Sequence, residues 1–162
     1  VIITLYANLF TEAKGEIIPK AISQKSTEEF TPDKVIFIPQ ERPSPAKRIS
    51  HHQVHMHPDK VIIDINQARI SAFTDTNSMD PVIDKEAMAL QIIPSSKDDI
   101  HVGDIISYKS PLSSMRIIHR VINVSEDDNG WYAETKGDNL QFKDPEKVRF
   151  SQIKRVVIGI LY

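Results

Sequence analysis

The chain reads as a mostly-β domain with few or no helices, and three observations point there. β-branched and apolar runs follow one another from Val61 to the C-terminus. Most of these runs are separated by Asp, Asn, Gly, Ser or Pro, the residues of turns. No long stretch of that half keeps a 3.6-residue apolar period. Length and composition agree. A chain of 162 residues fits one domain with an appended arm and can bury a sizeable core.

Taken in order, residues 1–60 are loosely organised and read as an N-terminal arm or linker. The opening "VIITLYANLF" is apolar and stops at Thr11-Glu12. It is too short to cross a bilayer, which takes roughly 20 apolar residues. It suits a first strand or buried helix, or the tail of a longer hydrophobic segment. "KVIFIP" (34–39) can form one short strand, and the two prolines of "QERPSPAKR" (40–48) mark an exposed loop. "HHQVHMHP" (51–58) gathers His51, His52, His55 and His57. On a strand, His55 and His57 would share a face and could share a zinc or nickel ion. With no cysteine and only Asp59 close by, an exposed polar edge is the preferred reading.

Residues 61–162 form a second, strand-rich unit in this reading. Its expected strands are "VIIDI" (61–65), "ARISAF" (68–73), "MALQIIP" (88–94), "DIISYK" (104–109), "MRIIHRVINV" (115–124), "WYAETK" (131–136) and "VRFSQIKRVVIGILY" (148–162). "SEDDNG" (125–130) ends in Asn-Gly and predicts a hairpin.

Composition narrows the chemistry. Lysine and arginine number 20 and aspartate and glutamate 22, with no basic run, so nucleic acid is not the expected partner. The absence of cysteine excludes disulfides, thiolate metal sites and cysteine nucleophiles. Serine chemistry remains open, and it needs an exposed hydroxyl, a base and a group to orient the base. Ser78 in "TDTNSMDP" precedes Pro81, which fixes its own φ and restricts Asp80, so the bend is stiff. His119 lies in "RIIHRVI", where apolar neighbours would partly desolvate a base and hold its angle. "KGDNLQFKDP" (136–145) offers Asp138 and Asp144 as hydrogen-bond acceptors for that histidine. Taken singly, each also suits a structural role: a turn serine, a packed histidine, ordinary turn aspartates. The Gly-Asp of "VGDIISY" (102–108) opens a strand and reads as structural.

Order in the chain carries more than any one motif. Ser-Met-x-Pro, then Gly-Asp and a strand, then His-Arg-Val in a strand, then Lys-Gly-Asp-Asn with a second aspartate six residues on, resembles the signal peptidase I family. The likeness is nearer to its archaeal and endoplasmic-reticulum branch, which looks like Ser–His–Asp enzymes, than to the bacterial branch, which has a lysine in place of His119. It runs from about residue 61 to the end. It implies a coiled, mostly-β peptidase domain in which Ser78 is the nucleophile, His119 the base and Asp144 the orienting acid. Asp138 would support the site or take the place of Asp144. It further implies that Thr76, with the backbone N–H of Ser78, holds the oxyanion; a loop threonine capping its neighbours is the equal alternative. Met79 is expected beneath the site and Asn77 to shape the turn. The implied partners are preprotein signal peptides and a membrane surface. The catalytic domain would lie on the extracytoplasmic side, and a hydrophobic anchor would precede Val1. No cofactor is implied. The family members carry their serine soon after the anchor, whereas some sixty residues intervene here.

Two other functions fit parts of the pattern. A self-cleaving or partner-cleaving regulatory peptidase of the same clan would use a lysine base and a DNA-binding helix-turn-helix, and neither is evident. A non-catalytic β module that binds a peptide along a strand edge would not need Ser78, His119 and Asp144 to meet.

Overall fold

The structure is a computed structural model and describes residues 41–162; "VIITLYANLF" and "KVIFIP" lie outside the described residues. Residues Arg42–Tyr162 form one compact unit. It is mostly β and its two sheets are antiparallel. Its helical segments, among the described residues, are three single 3₁₀ turns at His51–Gln53, Lys97–Asp99 and Phe150–Gln152.

β1 (Val54–Met56) and β2 (Val61–Ile63) pair as a small two-stranded sheet. This pairing runs across residues 60 and 61, where the sequence suggested a boundary. β3 (Arg69–Ala72), β4 (Met88–Ile92), β5 (Ile105–Lys109), β6 (Arg116–Asp127), β7 (Gly130–Lys136), β8 (Val148–Arg149) and β9 (Ile153–Leu161) make the main sheet, in the order β3-β4-β9-β5-β6-β7-β8. The Asn-Gly signal marks a real hairpin: Asp127 pairs with Gly130, whose φ of 90° suits only glycine at low cost. The last apolar run is not one strand. Its Phe150–Gln152 turn separates β8 from β9, and the Gln152 side chain accepts from the backbone N–H of Arg149 (2.7 Å).

The centre of the sheet is covered on both faces, which explains why "DIISY" is apolar without alternation. Ile106 and Tyr108 of β5 face one cluster with Ile100, Val121, Ala133, Val148, Ile153 and Val156. Ile105 faces a second, with Met79, Ile83, Ala87, Ala89 and Val157. Burying each Ile or Val contributes about 1.5–3 kcal/mol, so β5 is the strand about which the rest is held. β6 pairs with it in a register that sets His119 opposite Ile106 and Ile118 opposite Ser107.

Arg48 joins the segment before β1 to this core. Its guanidinium grips Asp104 at 2.7 Å through both nitrogens, and the backbone N–H groups of Ala46 (2.9 Å) and His101 (2.8 Å) complete the carboxylate. Burial by itself would raise the Asp104 carboxyl's pKa; the Arg48 bonds and the two backbone donors reverse this and hold it below the usual range. Gly103, at φ 99°, lies against the backbone of Ser44, and a side chain there would collide with the Ser44 carbonyl. The Gly-Asp turn is therefore structural, as its sequence suggests.

Candidate active site

His119 is placed by β6 and is 7% exposed. Its Nδ1 lies 2.9 and 2.8 Å from the two carboxylate oxygens of Asp144. An ionised carboxylate only accepts, so Nδ1 carries the proton and donates it. In the neutral ring the basic lone pair is then on Nε2. Asp144 is itself fixed. The Thr135 hydroxyl donates to it at 2.5 Å, the Tyr108 hydroxyl at 2.9 Å, and its backbone N–H donates to the Thr135 carbonyl at 2.7 Å. Burial would raise the Asp144 carboxyl's pKa; the bonds from His119, Thr135 and Tyr108 outweigh it and set the carboxyl below its ordinary range. Burial pushes the Tyr108 phenol well above its ordinary value, and the neighbouring carboxylate adds to this, so it stays a proton donor to Asp144.

Ser78 begins the turn after β3. Met79 behind it is 2% exposed and belongs to the second core cluster, and the N–H groups of Val82 and Ile83 both donate to its carbonyl at 2.9 Å. Asn77 has φ 55°, a left-handed conformation that asparagine tolerates, and so turns the chain ahead of the serine. The Lys-Gly-Asp-Asn loop holds the same turn from the other side. The Asn139 N–H donates to the Ser78 carbonyl (3.0 Å) and its side-chain amide to the Asn77 carbonyl (2.9 Å). A Cβ on Gly137 would stand 2.5 Å from the Ser78 carbonyl oxygen, so glycine is required by close approach.

The Ser78 hydroxyl is 3.2 Å from that of Thr76. Ser78 and His119 line one cavity of about 570 Å³, with Thr76, Met79, Gln91 and Ile118 among the other lining residues. No hydrogen bond joins Ser78 to His119 among the described residues; catalytic bonds of this kind often tighten only when substrate is present. Of the two candidate aspartates, Asp144 meets the histidine. Asp138 is turned to Arg120, which grips it at 2.7 and 2.6 Å and donates also to the Gly103 carbonyl at 2.8 Å.

The histidine cluster lies apart in the chain, on the first 3₁₀ turn and the small sheet. His51 and His52 are on the turn, His55 is on β1 with its Nε2 3.0 Å from Asp64, and His57 follows β1. Two contributors to the site had no sequence signal, and a third, Arg120 of the His-Arg-Val motif, had no assigned role. Tyr108 and Thr135 reach Asp144 only through the registers of β5, β6 and β7. Arg120 follows the histidine directly, but its partner is decided by the fold.

No family model matches the chain, and no solved structure matches it. The signal peptidase complex catalytic subunit sec11 of Schizosaccharomyces pombe is 29% identical over 66 residues, covering 38% of this chain and 35% of that protein. An uncharacterised protein of Methanocaldococcus jannaschii is 37% identical over 78 residues, covering 48% of this chain and 38% of its own length. The chain thus spans little more than a third of the curated relatives it matches, and its relationship is signal-peptidase-like.

Proposed function

We propose that this chain is a serine endopeptidase that removes signal peptides from exported preproteins, of the archaeal and endoplasmic-reticulum Ser–His–Asp type. The observation that carries the reading is the Asp144–His119 pair, braced by two buried hydroxyls and opening on the cavity that Ser78 lines. The likeness to the fission-yeast catalytic subunit supports the substrate class.

Ser78 Oγ attacks the scissile carbonyl as His119 Nε2 takes its proton. Asp144 holds the ring in the Nδ1–H tautomer and stabilises the imidazolium. The oxyanion is met by the Ser78 N–H and by Thr76, whose hydroxyl already lies beside the nucleophile. The imidazolium then protonates the leaving amine, and the acyl-enzyme remains. Water, deprotonated by His119, attacks the ester, and the proton returns to Ser78 as the acid departs. The neutral imidazole is the active form, since only it has a free lone pair on Nε2 to take the Ser78 proton. An extended substrate strand over the sheet would send alternate side chains towards it. In this reading the domain works at a membrane on the extracytoplasmic side. No helix of the described residues is long and apolar enough to cross one.

The decisive measurement is incubation with a preprotein beside Ser78→Ala and His119→Ala. Both variants should lose nearly all cleavage. Should His119→Ala keep it while Lys109→Ala or Lys136→Ala loses it, the base is a lysine and the Ser–His–Asp type is wrong.

A further inference from the structure

Tyr108 and Thr135 are hydroxyl residues in the interior of the sheet, both fully buried, and Tyr108 belongs to the first core cluster. Strand register brings them to the candidate base. His119 pairs with Ile106, two residues from Tyr108 on β5. Thr135 pairs with Val121, two residues from His119 on β6. Residues two apart on a strand share a face, and so do paired residues. Both side chains therefore come to the side of the sheet on which His119 stands.

Each hydroxyl has one proton to give. The Thr135 oxygen lies 2.5 Å from Asp144 Oδ2 and 3.2 Å from the Tyr108 oxygen. Two oxygens at the shorter distance need a proton between them, so the Thr135 proton is on the Asp144 side. Tyr108 stands 2.9 Å from the same Oδ2, and burial keeps its phenol protonated. Both protons thus go to one oxygen of the carboxylate. The Thr135 carbonyl also accepts the backbone N–H of Asp144 at 2.7 Å, which holds the carboxylate against the pair.

His119 Nδ1 is 2.8 Å from Oδ2 and 2.9 Å from Oδ1, so distance does not choose between them. Lone pairs do. A carboxylate oxygen offers about two, and those of Oδ2 are taken by Tyr108 and Thr135. Oδ1 accepts from His119 alone among the described residues. We propose that Tyr108 and Thr135 are positioning residues: by filling Oδ2 they direct the His119 Nδ1–H to Oδ1 and so set the angle at which Nε2 faces Ser78. This rests on the peptidase reading and assigns two further residues to it. Without either hydroxyl a lone pair of Oδ2 opens, the N–H turns towards it, and Nε2 on the far side of the ring moves off the nucleophile.

The test is preprotein cleavage by Tyr108→Phe, which removes one atom, by Thr135→Val, which keeps the shape, and by Thr135→Ser, which keeps the hydroxyl. The first two should lower kcat about tenfold with KM unchanged, since a displacement well under 1 Å is at stake, and Thr135→Ser should keep most of the wild-type kcat. Either loss alone frees Oδ2, so the double variant should cost little more than the worse single one. Unchanged kcat in Tyr108→Phe and Thr135→Val would overturn the proposal, as would a change confined to KM, failure of Thr135→Ser to restore turnover, or single effects that multiply in the double variant. The second readout is the Nδ1 proton resonance of His119, assigned by its absence from His119→Ala. It should shift in Tyr108→Phe and in Thr135→Val and return in Thr135→Ser; a resonance that stays in place in all of them overturns the proposal whatever the stability of the variants. Should the wild type cleave no preprotein, the peptidase reading falls, and this resonance alone decides whether the two hydroxyls orient the ring.

Discussion

Two carboxylate networks lie a few residues apart in the chain and have opposite chemistry. Asp138 faces Arg120 through two short bonds, and Asp104, elsewhere, faces Arg48 likewise. A guanidinium is always charged, so these pairs are permanently neutralised and act as clamps. Asp144 faces an imidazole and two neutral hydroxyls. Its negative charge has no fixed cation, and it is matched only when His119 takes a proton. The comparison teaches that the type of partner, not the aspartate or its distance, separates a carboxylate that holds the fold from one that can drive proton transfer.

The largest effect that tests this contrast is on turnover. Asp144→Asn should keep the fold and lower kcat by about 10³–10⁴, since an amide cannot hold the Nδ1–H tautomer or stabilise the imidazolium. Asp138→Asn should lose far less activity and show its effect in stability instead. Steady-state kinetics beside urea denaturation of both variants separates the roles, and near-normal turnover in both would undo the assignment.

Next in size is Arg48→Met. It leaves Asp104, which is 0% exposed, without its cation, and removal of one partner from a buried pair costs about 3–5 kcal/mol. Chemical denaturation should show the loss. A loss below about 1 kcal/mol would mean that the segment before β1 contributes little to the core.

Gly137→Ala comes third. The added methyl displaces the Ser78 carbonyl and with it the proposed nucleophile, and a shift of about 1 Å can lower turnover about 10²-fold. The expected signature is a fall in kcat with little change in denaturation midpoint. Unchanged kcat would show that the loop can yield without moving the serine.

The smallest effect concerns acid. The folded carboxyl of Asp144 lies below its unfolded value, which is about 3.9, so its contribution to stability is complete above that pH and fades as pH falls through the folded value. Stability measured from pH 5 downward should therefore drop below about pH 4 in the wild type and more gently in Asp144→Asn. Identical slopes would show that Asp104 and the other carboxylates carry all of the acid sensitivity.

Much of this was readable along the chain. β-branched runs and turn residues located the strands of the main sheet, and Asn-Gly located the β6–β7 hairpin, because these signals are local properties of backbone and side chain. Ser78, His119 and Asp144 stood out only as an ordered set, since each alone is an ordinary residue; the structure joins His119 to Asp144 and puts Ser78 on the same cavity as His119. "VIIDI" was read as a strand, but its pairing with β1 was not foreseen, because β1 is only three residues long and largely exposed and leaves almost no pattern. The break at Phe150–Gln152 was missed because an apolar turn resembles the strands beside it.

What the sequence determined by itself was the class of fold, the position of most of its strands along the chain and the residue types available for chemistry. Which aspartate meets the histidine is fixed by tertiary structure: the resemblance named Asp144 and kept Asp138 as its alternative, and only the fold turns Asp138 to Arg120. So was the support of Asp144 by Tyr108 and Thr135. Those contacts depend on register between strands distant in sequence, and a slip of one residue would turn every one of them to the opposite side of the sheet.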